Sequence, residues 1–195
     1  RQNFTERFAF SLTNLPKNAV IFHCASVGEV LAAVPLISEY KARHKNDHII
    51  ITCNTPTGRQ QVKDSFKNQV SVCYLPFDFW DCATRFIKTL SPKLFITLET
   101  ELWLNIMTAA QKVACPTIVI NARLSEKSLR GYQKVPRLAK ALMGSINHIA
   151  SHSHEDAERF ICLGLPTDKV TVTGSIKFDI YVDDTAQQQA EQLKS

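Results

Sequence analysis

The 195-residue chain has no run of about 18 apolar residues, so nothing in it reads as a membrane span. No secretory leader is legible, and the chain begins at Arg1 rather than Met, which leaves room for a preceding segment. Its six cysteines, Cys24, Cys53, Cys73, Cys82, Cys115 and Cys162, form no CxxC pair. Most sit in or beside apolar runs, so they read as small buried hydrophobes in a reducing compartment. They are not clustered as zinc ligands are. Neither GxGxxG nor GxxxxGK occurs, so a dinucleotide fingerprint and a P-loop are both absent. No Ser-His-Asp order is compelling. His152 and His154 share a turn where a capping serine is the simpler need, so no metal is expected. Charged residues make up 21% of the chain, which argues against disorder. The net charge of +5 admits a phosphorylated partner but does not argue for nucleic acid.

What is present centres on Ala19 to Ile37. Ala19–Cys24 reads as a buried strand. Ala25–Gly28 is a polar turn, and a helix with a buried stripe follows from Glu29. Ser26 is a good N-cap and Glu29 stands at the capping-box position. A bland reading is therefore available, in which Glu29 only caps its helix and suits the dipole.

Further strands are expected at His48–Cys53, Val70–Leu75, Leu94–Leu98, Thr117–Ile120, Ile146–Ala150 and Val170–Thr173. Helical segments alternate with them. The pattern predicts an α/β fold, a Rossmann-like parallel sheet of about seven strands with helices on both faces. Residues 1–18 form a lead segment, 19–180 the domain and 181–195 a polar linker. Phe4, Phe8 and Phe10 in the lead segment are expected to pack in the core rather than on a missing neighbour or at a membrane-facing edge. Residues 126–134 are polar and basic, and a helix is expected after them to about Gly144.

In a parallel sheet every post-strand loop meets one rim, where ligands bind in open α/β folds. Those loops hold Ser26, Gly28 and Glu29, then Thr55 and Thr57, then Asp78. After the later strands come Glu99 and Glu101, Asn121 and Arg123, Ser151 and His152, and Ser175, Lys177 and Asp179. Carboxylates and cations gathered on one rim suggest a site, although one polar loop alone would mean little.

Six ordered segments then carry a resemblance. They are His23–Glu29, Thr55–Gly58, Tyr74–Asp78, Glu99–Trp103, Asn121–Ser125 and Val172–Asp179. Together they resemble the 3-deoxy-D-manno-octulosonic acid (Kdo) transferases, bacterial enzymes of lipopolysaccharide assembly. The resemblance implies the N-terminal, acceptor-side half of a two-domain GT-B glycosyltransferase, working on the cytoplasmic face of the bacterial inner membrane. It implies transfer from the donor CMP-Kdo to a lipid A precursor, with no cofactor or metal and no nucleic acid partner. The membrane surface would be a partner of the full-length protein, and a C-terminal domain would hold most of the CMP contacts. It further implies catalytic roles for Glu29, Glu99 and Lys177. Substrate contacts would come from Ser26, Gly28, Thr55, Thr57, Glu101 and Arg123. Leu104 stands where the family often has proline, which puts the start of the following helix in question. Two alternatives remain open, a non-catalytic phosphoglycolipid-binding module and half of another GT-B transferase.

Overall fold

The structure is a computed structural model and describes residues 4–176. Lys177, Asp179 and the linker expected at 181–195 lie outside the described residues.

Seven strands form one sheet: β1 Val20–His23, β2 Ile49–Cys53, β3 Ser71–Tyr74, β4 Leu94–Leu98, β5 Thr117–Ala122, β6 His148–Ser151 and β7 Val170–Val172. Every pairing is parallel. The order is β3-β2-β1-β4-β5-β6-β7. All residues of β1 and β2 are buried, as strands covered on both faces require.

The helices are α1 Val27–Arg43, α2 Pro56–Phe66, α3 Trp80–Leu90, α4 Leu104–Lys112, α5 Glu126–Gln133, α6 Pro136–Gly144 and α7 His154–Cys162. Alternate residues of β1 feed opposite faces. Val20 and Phe22 pack with Val30, Ala33 and Ile37 of α1 and with Val62 and Phe66 of α2. Ala19 and Ile21 pack with Phe86, Ile87 and Leu90 of α3 and with Ile106 of α4. A third cluster joins Val119 and Ile149 to Leu142 and Met143 of α6 and Phe160 of α7. The chain thus winds outward from β1 to β3 with helices on one face. It then crosses back to β4 and winds the other way with helices on the opposite face. That reversal creates a switch point between β1 and β4, and the loops after these two strands splay apart there.

Some expectations need correction. Phe4 and Phe10 are not core residues, being 58% and 51% exposed. Ala9 and Leu12 enter the core in their place, while Phe8 stacks edge-on against Phe77 at 5.4 Å. Phe4 meets Phe8 and Phe77 edge-on, and Phe10 lies under the Arg85 guanidinium, so both rings are partly covered outside the core. Cys162 is exposed at the end of α7, whereas the other five cysteines are buried. The polar, basic stretch after β5 forms a helix of its own, α5, ahead of the expected one. Ser125 caps α5 by accepting from Ser128 N–H at 3.1 Å, and Glu126 pairs with Arg130 one turn on. Strand β5 continues through Asn121 to Ala122, and its register against β6 shifts between Val119 and Ala122. Leu104 opens α4.

Candidate active site at the switch point

Glu29 sits in the first turn of α1, directly after β1. Its carboxylate accepts from Ala25 N–H at 2.9 Å and from the Ser26 hydroxyl at 2.9 Å. Ser26 Oγ in turn accepts from Glu29 N–H at 3.3 Å. The capping reading of the pair is therefore correct. It does not exhaust the carboxylate, because two oxygens offer about four lone-pair positions and two are used. Glu29 is half-buried beside an exposed Gly28. Burial pushes its pKa up. The Ala25 and Ser26 bonds oppose that, and the charges of Glu99 and Glu101 add to it. Those two carboxylates belong to the loop after β4, so the switch point brings the three acids together.

Glu99 occupies the left-handed region, with φ 56°, and so does Asn121 at the end of β5, with φ 51°. Non-glycine residues pay for that conformation, and the surrounding structure must hold it. Here Glu99 N–H donates to Ile120 O at 2.9 Å, locking the two rim positions side by side. Buried Asn121 presents Oδ1 to Ile176 N–H at 3.4 Å, which draws the post-β7 loop to the same place.

Glu101 is held differently. Its Oε2 accepts from Trp103 Nε1–H at 2.9 Å and lies 3.6 Å from Nε2 of fully buried His23. The second separation is too long for a hydrogen bond and becomes an ion pair only when His23 carries a proton. His23 Nδ1 meets Thr52 Oγ1 at 3.0 Å on the neighbouring strand. The imidazole first, and then the indole N–H, hold the Glu101 carboxyl below its ordinary value against the effect of burial. The site thus contains one carboxylate biased toward holding a proton, Glu29, and one biased toward staying ionised, Glu101.

These opposite shifts give opposite stability slopes. Between the ordinary glutamate pKa and its own raised one, the folded chain holds more proton at Glu29 than the unfolded chain does. That contribution is complete at low pH and is lost as pH rises through the raised value. Glu101 contributes stability above its ordinary pKa, lost as pH falls through the depressed one. Thermal melts across pH should therefore show Glu29→Gln removing a component that falls with pH. A slope unchanged by the substitution would contradict the raised value.

Thr55, Thr57 and Arg123 follow their strands on the same rim. Thr55 caps α2, its Oγ1 accepting from Gly58 N–H at 3.0 Å and from the Thr57 hydroxyl at 3.2 Å. A Cβ on Gly58 would stand 3.0 Å from that oxygen and 3.4 Å from the Cys53 side chain, so only glycine fits without a shift. Thr55→Ala should cost about 1 kcal/mol, read as a lowered melting temperature, with wild-type melting counting against the cap. Arg123 has an exposed side chain, and its carbonyl accepts from the Thr100 hydroxyl. His23, Asp78, Trp103 and Asn121 also shape the site, and nothing in their local sequence assigns them a role, because His23, Asp78 and Asn121 act through contacts to other strands and loops. Asp78 binds Asn105 and Ile106 at the start of α4.

The family model for the 3-deoxy-D-manno-octulosonic-acid transferases (kdotransferases) matches residues 2–180. The chain belongs to the Kdo transferase family. It is 34% identical over 197 residues to a 3-deoxy-D-manno-octulosonic acid transferase of Haemophilus influenzae, covering 100% of this chain and 46% of that protein. It is 33% identical to a bifunctional glycosyltransferase/methyltransferase of Fusobacterium nucleatum, covering 83% of this chain and 25% of that one. The chain therefore spans less than half the length of these curated relatives. A UDP-GlcNAc 2-epimerase structure from Neisseria meningitidis aligns at TM-score 0.61 and 16% identity, over 90% of this chain and 53% of that one. That likeness supports the GT-B-like Rossmann fold of this Kdo transferase half.

Proposed function

We propose that this chain is the acceptor-side half of an enzyme that transfers Kdo from CMP-Kdo to a lipid A precursor, with Glu29 as general base. The observation that carries the reading is the convergence of Glu29, Glu99 and Glu101 at the switch point of a Kdo transferase domain. A sugar hydroxyl is a poor nucleophile and needs a base aimed at it. Glu29 accepts the hydroxyl proton as the hydroxyl oxygen bonds to the anomeric carbon of Kdo. The bond from that carbon to the CMP phosphate breaks, and its electron pair leaves with CMP. Attack opposite the leaving group inverts the centre.

Positive charge develops on the Kdo ring during departure, and Glu99 stabilises it, with Glu101 as the alternative. Lys177, outside the described residues, would meet the leaving phosphate. Ser26, Gly28, Thr55, Thr57 and Arg123 would contact the acceptor from the rim. No metal or cofactor enters this scheme. The lipid acceptor would place the work on the cytoplasmic face of the bacterial inner membrane. Among the described residues no helix is long and apolar enough to cross a membrane.

The deciding experiment incubates the full-length protein with a lipid A precursor and a donor panel of CMP-Kdo, another CMP-linked ulosonic acid and UDP-GlcNAc. Transfer from CMP-Kdo alone is the expected outcome. Transfer only from UDP-GlcNAc would assign the chain to another GT-B activity. Because it spans under half of its relatives, the 195-residue chain by itself is expected to bind the acceptor saturably without turnover.

A further inference from the structure

The positive charge of this chain is not spread over its surface. Residues 123–140, RLSEKSLRGYQKVPRLAK, contain Arg123, Lys127, Arg130, Lys134, Arg137 and Lys140 against the single acid Glu126. That stretch alone carries a formal +5, equal to the net charge of the whole chain. It folds as the α5–α6 hairpin. Its one acid is already paired with Arg130, 3.0 Å away in solvent.

The hairpin is also poorly buried. No residue of α5 is buried, and α6 is held only by Ala139, Leu142 and Met143. Val135, between the helices, and Leu138, in the first turn of α6, are 47% and 42% exposed. These two apolar side chains stand among the cations of the hairpin. Basic residues flanking exposed apolar ones are the pattern of a segment lying in a membrane interface. A nucleic acid would want exposed aromatic platforms for stacking, and the one aromatic of the stretch, Tyr132, is half-buried against the core.

The base of the hairpin touches the site. Thr100, between Glu99 and Glu101, donates its hydroxyl to Arg123 O. Leu124, next in the chain, is pinned by its N–H to Asp156 at 2.8 Å and by its carbonyl to Arg159 at 3.1 Å. The exposed basic hairpin is thus rooted at the carboxylate loop.

We infer that the α5–α6 hairpin docks on an anionic phospholipid bilayer, its cations on the headgroups and Val135 and Leu138 at the acyl boundary, so that the rim carboxylates face the membrane. The inference rests on the lipid-acceptor part of the proposed function and not on the identity of the donor sugar.

The test is hydrogen–deuterium exchange of the full-length protein with vesicles of phosphatidylcholine alone or mixed with phosphatidylglycerol. Protection of residues 126–140 is expected with the anionic vesicles and not with the neutral ones, fading as salt rises. Each cation near an anionic surface is worth about fivefold in affinity. Replacing the exposed Lys127, Arg130, Lys134 and Arg137 with Gln should therefore weaken this contact by roughly two to three orders of magnitude. Val135→Ser with Leu138→Ser should weaken it less and leave its salt dependence intact. Equal protection by both vesicle types, no protection of 126–140, or protection that survives the four replacements would overturn the inference. Protection confined to the exposed aromatics Phe77–Trp80 would overturn it too and move the contact to that ridge. Because the readout needs no turnover, a protein inactive with CMP-Kdo but protected at 126–140 would refute only the transfer reading.

Discussion

Glu29→Gln in the full-length enzyme should reduce transfer by about 10²–10⁴-fold, the usual worth of a positioned general base. The substitution is chosen to separate chemistry from folding. Glutamine keeps the size of the side chain and one oxygen that can accept from Ala25 N–H or the Ser26 hydroxyl, the two donors now bound. Losing the other bond costs at most the order of a helix cap, about 1 kcal/mol. That deficit lowers the melting temperature slightly and cannot account for a thousandfold fall in turnover. If Glu29 takes the proton only as the new bond forms, the loss appears in kcat and in kcat/KM alike, with KM little changed. A rise in KM with kcat intact would instead make Glu29 an acceptor-binding residue. The acid limb of the kcat/KM profile supplies a second reading. Burial and the neighbouring charges of Glu99 and Glu101 raise the Glu29 pKa. Activity should accordingly fall away at a higher pH than an ordinary glutamate would give. Wild-type turnover in the Gln variant would remove Glu29 from the chemistry and leave it as a cap.

How much of this was readable without coordinates differs from element to element. Apolar runs such as Val20–His23 and Ile49–Cys53 are unbroken because both faces of those strands are covered, and that makes them easy to recognise. The same periodicity fixes α3 at Trp80–Leu90, where the buried positions recur at helical spacing. α5 was hidden because it buries nothing: with no apolar stripe, its only signals are the Ser125 cap and one charge pair. The rim could be inferred from parallel strands alone, and so could the neighbourhood of Glu29 and Glu99. The state of each acid could not. Whether a glutamate is raised or depressed depends on what lies across the sheet, and nothing local to Glu101 announces His23 on β1. The left-handed backbone at Glu99 and Asn121 was equally silent, since neither residue is glycine.

Asp78 shows the same cross-strand dependence and supports the second large prediction. The residue preceding α4, Trp103, offers no side-chain cap to the first turn of its helix. Asp78, from the loop after β3, fills the gap. Its carboxylate accepts from Asn105 N–H at 3.1 Å and from Ile106 N–H at 3.0 Å, while its carbonyl accepts from Asn105 Nδ2 at 2.6 Å. An anion at a helix N-terminus is favoured by the dipole as well as by the bonds. Asp78→Ala removes the three carboxylate bonds, the third from Asn105 Nδ2 at 3.4 Å, and leaves the Asn105 and Ile106 amides unpaired, which should cost about 2–3 kcal/mol. For a domain of this size that is a fall in melting temperature of roughly 5–10 °C. Asp78→Asn keeps one neutral acceptor and should lose about half as much. The effect should also reach the site. α4 begins right after Trp103, whose indole N–H orients Glu101, so a frayed first turn loosens that carboxylate. Turnover of Asp78→Ala, measured well below its melting temperature, should therefore fall while that of Asp78→Asn falls less. Wild-type melting in Asp78→Ala would show that solvent satisfies the α4 amides unaided. A melting loss with unchanged turnover would instead separate the start of α4 from the chemistry.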